Sequence, residues 1–168
     1  MPTDKCIEML NSGADAWNRW RNTNEGHNVD LGDIDFVSVC PGDGFYDLPE
    51  FQGYNFSQTN MNRVSMRNST FIECDFSGCY FHFSDLVDSY CLRCNFSGSE
   101  LNVSKIGSAN FIDCNFTNTD LSYCSAEETN FTGSILLGTN LSNMSLVKPT
   151  SQMHKLMVHV PMEFQLGI

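Results

Sequence analysis

A Cys-x-x-Cys pair at Cys91 and Cys94 is the most suggestive chemical feature of this sequence. Such a pair binds zinc when a second pair completes four ligands, and it does redox work when a strand-to-helix junction lowers one thiol's pKa. Neither context stands around it. Cys74, Cys94 and Cys114 recur every twenty residues, and Cys79 and Cys124 share their register on other sides of the same repeat, so these thiols read as small apolar fillers. Asp30, Asp33, Asp35, Asp43 and Asp47 crowd one early segment, yet they miss the order of an EF-hand calcium loop and read as solvated turns. His27, His82, His154 and His159 form no metal-binding spacing, and no Ser-His-Asp set or phosphate-cradling glycine loop is present. The expectation is a non-enzymatic chain with no catalytic residue, no metal and no cofactor.

What surrounds these residues is a repeat. Stepping by five from Phe51 gives Phe56, Met61, Met66, Phe71, Phe76, Phe81, Leu86, Cys91, Phe96, Leu101, Ile106, Phe111, Phe116, Leu121, Ala126, Phe131, Leu136, Leu141 and Leu146, all apolar. With 41% hydrophobic residues in the chain, chance would give such a run with a probability on the order of 10⁻⁸ in one register. Two residues before each stands a second register of Ser, Thr, Ala or Cys, broken only by Pro49, Tyr54, Val64 and Met144. Two residues after it stand Gly53, Gly78, Gly98, Gly133 and Gly138, which accept a positive φ and so mark a corner.

A period of five suits neither a helix of 3.6 residues per turn nor the two-residue alternation of a strand. It suits a chain that bends every five residues and sends one large and one small side chain inward per side. Four sides close a coil of twenty residues, as in FIECDFSGCYFHFSDLVDSY (71–90), CLRCNFSGSELNVSKIGSAN (91–110) and FIDCNFTNTDLSYCSAEETN (111–130). Coils paired like parallel strands stack about 4.8 Å apart, so five of them make a rod roughly 24 Å long. The predicted core is therefore Phe56, Phe71, Phe76, Phe81, Leu86, Phe96, Leu101, Ile106, Phe111, Phe116, Leu121, Phe131, Leu136 and Leu141.

A central Phe or Leu preceded by Asn or Asp, with a small residue one step earlier, resembles the pentapeptide-repeat proteins. Asp75-Phe76, Asn95-Phe96, Glu100-Leu101, Asp120-Leu121 and Asn140-Leu141 carry the likeness, which covers at least residues 49 to 148. It implies an all-β solenoid, a right-handed quadrilateral parallel β-helix with about twenty residues per coil. LNSGADAWNRWR (10–21) also looks like the leader of some members, in which a short helix covers the first coil. The chain departs from the family in using Ser, Thr and Cys where Ala is favoured, and in placing Lys105 and Ile135 where Asn or Asp is usual.

Three segments follow from this. Residues 1–28 form a leader with a capping helix, in which Ile7, Leu10, Ala14 and Trp17 share one face, Asn11-Ser12-Gly13 weakens continuity, and Trp17 and Trp20 pack on coil one. Residues 29–150 form the β-helix, since Asp30-Leu31 and Asp35-Phe36 keep its register, with an irregular segment at 38–49. Residues 151–168 hold a short helix in which Met153, Leu156, Met157 and Val160 share a face, serving either as a cap or as a homodimer contact.

Charge limits the partners. The net charge is −11, so direct binding to nucleic acid or to anionic membrane is not expected. No basic start followed by an apolar run opens the chain, and no eighteen apolar residues stand together, so the expectation is a soluble cytoplasmic protein. The Asn-x-Ser/Thr sequons arise from the repeat itself and carry no sign of secretion. A rigid rod of this kind reads first as a protein-binding or scaffold module with an unknown protein partner. The family resemblance implies an alternative, a DNA mimic that binds a type II topoisomerase such as gyrase. Against that stands the charge of residues 51–150, nine acidic against five basic, where duplex DNA of equal length would carry about 14 negative charges.

Overall fold

The computed structural model describes residues 4–23, 29–40 and 48–145. From residue 50 onward the backbone winds as a four-sided parallel coil. One side of each turn is regular enough to form short strands: β1 (Glu50–Gln52), β2 (Thr70–Ile72), β3 (Tyr90–Leu92) and β4 (Asn110–Ile112). They pair in parallel in the order β1-β2-β3-β4, with Phe51 facing Phe71, Phe71 facing Cys91 and Cys91 facing Phe111. The other three sides meet through single parallel bridges with the same offset of twenty, such as Asp75 with Asn95 and Tyr80 with Glu100.

The hydrogen bonds follow one rule. Each central residue donates its N–H to the coil below, as Phe76 does to the Asn95 carbonyl (2.7 Å) and Phe96 to that of Asn115 (2.7 Å). The residue before it donates to the coil above, as Asn95 does to Cys74 (3.0 Å). At the corner the chain closes an i to i+3 turn, Cys79 to Phe76 (3.2 Å) for example, and the residue two after the centre takes a left-handed φ at every corner from Gly53 to Asn143. Glycine fills only five of those corners, so the other residues carry the conformational cost.

Inside, the predicted core side chains from Phe56 to Leu136 are all buried. Leu141, in the last described coil, is only partly buried, and Leu146 lies outside the described residues. Phe56, Phe76, Phe96 and Phe116 stack with ring centroids 5.2, 4.9 and 4.9 Å apart and nearly parallel planes. Neighbouring columns meet edge to face, as Phe96 does with Phe111 (5.6 Å, 88°). At about 1.5–3 kcal/mol for each large side chain buried, these columns are the main source of stability.

The small register does more than fill space. Most of its hydroxyls and thiols donate to the central carbonyl twenty-three residues earlier, for example Ser84 to Met61 (2.8 Å), Thr119 to Phe96 (2.7 Å), Thr129 to Ile106 (2.7 Å), Cys79 to Phe56 (2.9 Å) and Cys124 to Leu101 (3.1 Å). This accounts for the preference for Ser, Thr and Cys over Ala. Most buried polar atoms at this position find a carbonyl partner, in the coil above or, as Ser99 does with Phe96 (2.6 Å), in their own turn.

The N-terminal end differs from the expected single helix. Two helices form, α1 (Asp4–Asn11) and α2 (Ala14–Thr23), because the chain turns at Ser12 and at Gly13, whose φ is 89°. Residues 29–36 supply two sides of a partial coil, pairing Asp30 with Asn60 and Asp35 with Ser65 at an offset of thirty rather than twenty. A one-turn helix, α3 (Phe36–Val39), then leaves the coil, capped by Asp35. The α2 helix covers the two sides that this half-coil leaves open. Trp17 is fully buried against Phe56 (5.4 Å), and its Nε1 donates to the Asn55 carbonyl (2.7 Å). Asn18 donates to Gly53 O (2.8 Å) and accepts from Asn55 N (2.8 Å), while Arg21 donates to Ser57 O. Helix side chains thus satisfy the open backbone edge of the coil. The expected C-terminal helix and dimer contact at 151–168 lie outside the described residues.

Candidate interaction surface

The chemistry-bearing residues are drawn into the fold. Cys91 and Cys94 are buried in the axis, and all eight cysteines are free thiols. Burial pushes the thiol of Cys124 up to about 11 and that of Cys79 up to about 12, and it raises Cys91 well above the ordinary range. Cys74 is raised first by its contact with Cys94 and then by burial. Such thiols stay protonated at neutral pH, so they are neither nucleophiles nor ready metal ligands.

The early aspartates are spoken for as well. Asp30 Oδ1 accepts from Gly32 N and Asn60 Nδ2 (both 2.9 Å), and Asp35 caps α3 through Val37 N (3.3 Å) and Ser38 Oγ (2.6 Å). Asp33 accepts from Arg63 Nη2 (2.6 Å), a hydrogen bond that holds its carboxyl below the usual range. Asp43 and Asp47 lie outside the described residues, as do His27, His154 and His159. Among the described residues no three His, Cys, Asp or Glu side chains are grouped to hold a metal ion, and no helix is long and apolar enough to cross a membrane.

What the fold presents outward is a set of columns repeating once per coil. The residue before each centre forms Asx ladders: Asn95 Nδ2 donates to Asp75 Oδ1 (3.1 Å) and Asn115 Nδ2 to Asn95 Oδ1 (3.2 Å). The same oxygens accept the backbone N–H two residues on, as from Ser97 to Asn95 (3.1 Å), so one side chain fixes both the turn and the stacking. Cross-coil ion pairs tie Arg93 to Glu73 (2.8 Å) and Arg67 to Asp85 (3.3 Å) and Asp88 (3.5 Å).

Against this polar exterior stand several large apolar side chains. Phe83, Val103 and Tyr123 occupy the same corner of three consecutive coils, and they are 67%, 41% and 62% exposed. Tyr80, on the adjoining face, is 47% exposed and stacks on His82 (6.5 Å), whose Nε2 lies 3.0 Å from Glu100. Attention to the inward registers passes this column over. The signal lay in the corner register, where glycine or a polar residue is the economical choice and Phe83, Val103 and Tyr123 are not.

Comparisons agree with this architecture. A family model described as pentapeptide repeats matches eight copies over residues 50–82, 74–102 and 109–146. Among solved structures, a pentapeptide repeat protein from the thylakoid lumen of Arabidopsis thaliana superposes with a TM-score of 0.58 at 20% identity, covering 70% of this chain and 82% of that one. A pentapeptide repeat protein from the cyanobacterium Cyanothece is 18% identical over 78% of this chain and 94% of its own, with a TM-score of 0.35. QnrB1, a plasmid-mediated fluoroquinolone resistance protein, is 20% identical over 71% of this chain and 68% of its own, with a TM-score of 0.31. No match is found among curated proteins. With the family's repeat matched over most of the coil and its four-sided winding present in the backbone, the chain belongs to the pentapeptide-repeat family and folds as its right-handed quadrilateral β-helix.

Proposed function

We propose that the chain is a non-enzymatic protein-binding module, a rigid rod that offers fixed columns of side chains to a protein partner. The observation that carries this reading is the set of large apolar residues held outward on a hydrogen-bonded frame whose interior is already filled by its own side chains. A frame of this stiffness presents its contacts without ordering on binding, which removes one of the main costs of association.

The ion pairs of Arg67 and Arg93 with Asp85, Asp88 and Glu73 lower the negative charge that the rod displays. This favours the module over a mimic of duplex DNA, whose charge is dense and unpaired. Two experiments test the reading. Immobilised protein, incubated with extract of its native host at physiological salt, is expected to retain a protein partner at near-stoichiometric level, and retention of nothing argues against the module. Purified protein is expected to leave the supercoiling activity of gyrase unchanged at micromolar concentration, whereas inhibition or protection would restore the topoisomerase mimic.

A further inference from the structure

Two independent costs meet at one corner of the rod. Phe83, Val103 and Tyr123 have φ values of 60°, 64° and 60°, in the left-handed region that β-branched and bulky residues avoid. They are also large apolar side chains facing water. The other corner columns hold glycine, Asn or other polar and charged residues, for example Gln58, Gly78, Gly98, Asn118 and Gly138 down one edge. Nothing in folding calls for three bulky residues here. Asn or Gly in their place would relieve backbone strain and lose no burial.

We propose that Phe83, Val103 and Tyr123 form a docking ridge for an amphipathic helix of a partner protein, with an apolar stripe flanked on one side by basic side chains. The proposal rests on the protein-binding reading and names its surface and partner class. Spacing selects a helix. The outer two members of the ridge are two coils apart, about 10 Å, close to the roughly 10.5 Å between residues i and i+7 of an α-helix. A strand laid along the rod would bring same-face residues at about 6.8 Å and fall out of step.

Charge selects the flanks. On one side of the ridge stand Glu100 and Asp120, while on the other Asp85 is engaged with Arg67 and Glu127 is offset by Lys105, so the unbalanced carboxylates are Glu100 and Asp120. Lys and Arg flanking the partner's stripe would meet these carboxylates. A second copy of this chain would bring the same acids, and an anionic nucleic acid or lipid surface would be repelled.

The test uses the full chain and two short synthetic helical peptides, one of Leu and Lys in amphipathic order and one of Leu and Glu, read by fluorescence anisotropy. The protein is expected to bind the Leu–Lys peptide, more weakly as salt rises, and not the Leu–Glu peptide. The variant Phe83→Asn, Val103→Asn, Tyr123→Asn keeps every charge and puts a tolerated residue at each corner. It is expected to melt no lower than the parent and to bind at least about tenfold more weakly. Glu100→Gln with Asp120→Asn keeps the ridge and the Asx geometry, and is expected to weaken binding several-fold at low salt.

Equal binding by the ridge variant, equal binding of the Leu–Glu peptide, or no binding of the Leu–Lys peptide would each overturn the proposal. So would sedimentation showing a dimer that the ridge variant lacks, which would give the ridge to a second copy. If a host protein is captured equally by parent and ridge variant, the ridge assignment fails while the binding module stands.

Discussion

At the scale of the residue, the small inward register offers a controlled comparison. Ser84 and Ser89 sit in neighbouring sides of one coil and are both buried. The hydroxyl of Ser84 donates to Met61 O (2.8 Å), whereas that of Ser89 has no partner among the described residues. Ser84→Ala is expected to cost about 1 kcal/mol, and Ser89→Ala to be neutral or stabilising by a similar amount. The two variants should therefore separate by roughly 2–4 °C or more in thermal melts, and coincident melts would show that the cross-coil hydroxyl bond contributes nothing. The central register makes a harsher pair. Phe96→Asp sets a carboxylate between the rings of Phe76 and Phe116, each 4.9 Å away, and is expected to abolish the native circular dichroism. Ser97→Asp, on the outer face one residue later, is expected to change stability by less than about 1 kcal/mol. The inward positions were legible in the sequence because burial depends only on a residue's place within five. The unpaired hydroxyl of Ser89 was not, because its twin at Ser84 looks the same in sequence and only the folded coil separates their hydrogen bonding.

At the scale of the element, the coil was legible and its lid only in part. Twenty-residue stacking follows from local bends repeated with the same inward pattern, so Phe56, Phe76, Phe96 and Phe116 could be placed in one column beforehand. The offset of thirty between Asp30 and Asn60, and the break of the leader into α1 and α2 at Gly13, depend on how distant segments meet. Trp17, Asn18 and Arg21 became interpretable only when α2 was seen on the edge formed by Gly53, Asn55 and Ser57. That docking makes two predictions. Trp17→Ala removes a fully buried indole that packs against Phe56 and Tyr54, and is expected to cost about 3–5 kcal/mol in urea unfolding. Asn18→Asp keeps an acceptor for Asn55 N but turns the donor to Gly53 O into a second acceptor. It is expected to destabilise by about 1–3 kcal/mol and to expose an open edge, seen as concentration-dependent light scattering. An Asn18→Asp protein that unfolds and scatters like the parent would show that α2 is held by apolar contact alone.

At the scale of the whole molecule, the thiols give the rod a defined response to alkali. An unfolded cysteine ionises near 9.0, while in the folded rod Cys79 does so at about 12 and Cys124 at about 11, because burial disfavours the thiolate. The phenol of Tyr54 is likewise raised from 10.0 to about 12 by burial. The sign follows from proton counting. Between the unfolded and folded values the native state holds protons that the unfolded chain has released, so stability falls with rising pH. The contribution is complete below about pH 9 and is lost as pH climbs toward 11 and 12, at about 1.4 kcal/mol for each unit of difference per group. Because the coils share one continuous core, a thiol ionised in the axis loosens its neighbours above and below, and the loss should appear as a single cooperative transition rather than local fraying. Urea midpoints followed by circular dichroism are expected to hold from pH 7 to about 9 and then to fall steeply. Cys79→Ser with Cys124→Ser, which keeps a donor to the Phe56 and Leu101 carbonyls, should flatten that fall. A midpoint that stays level to pH 11 in the parent, or an equal fall in the double variant, would mean that Cys79 and Cys124 do not govern the alkaline limit of the rod.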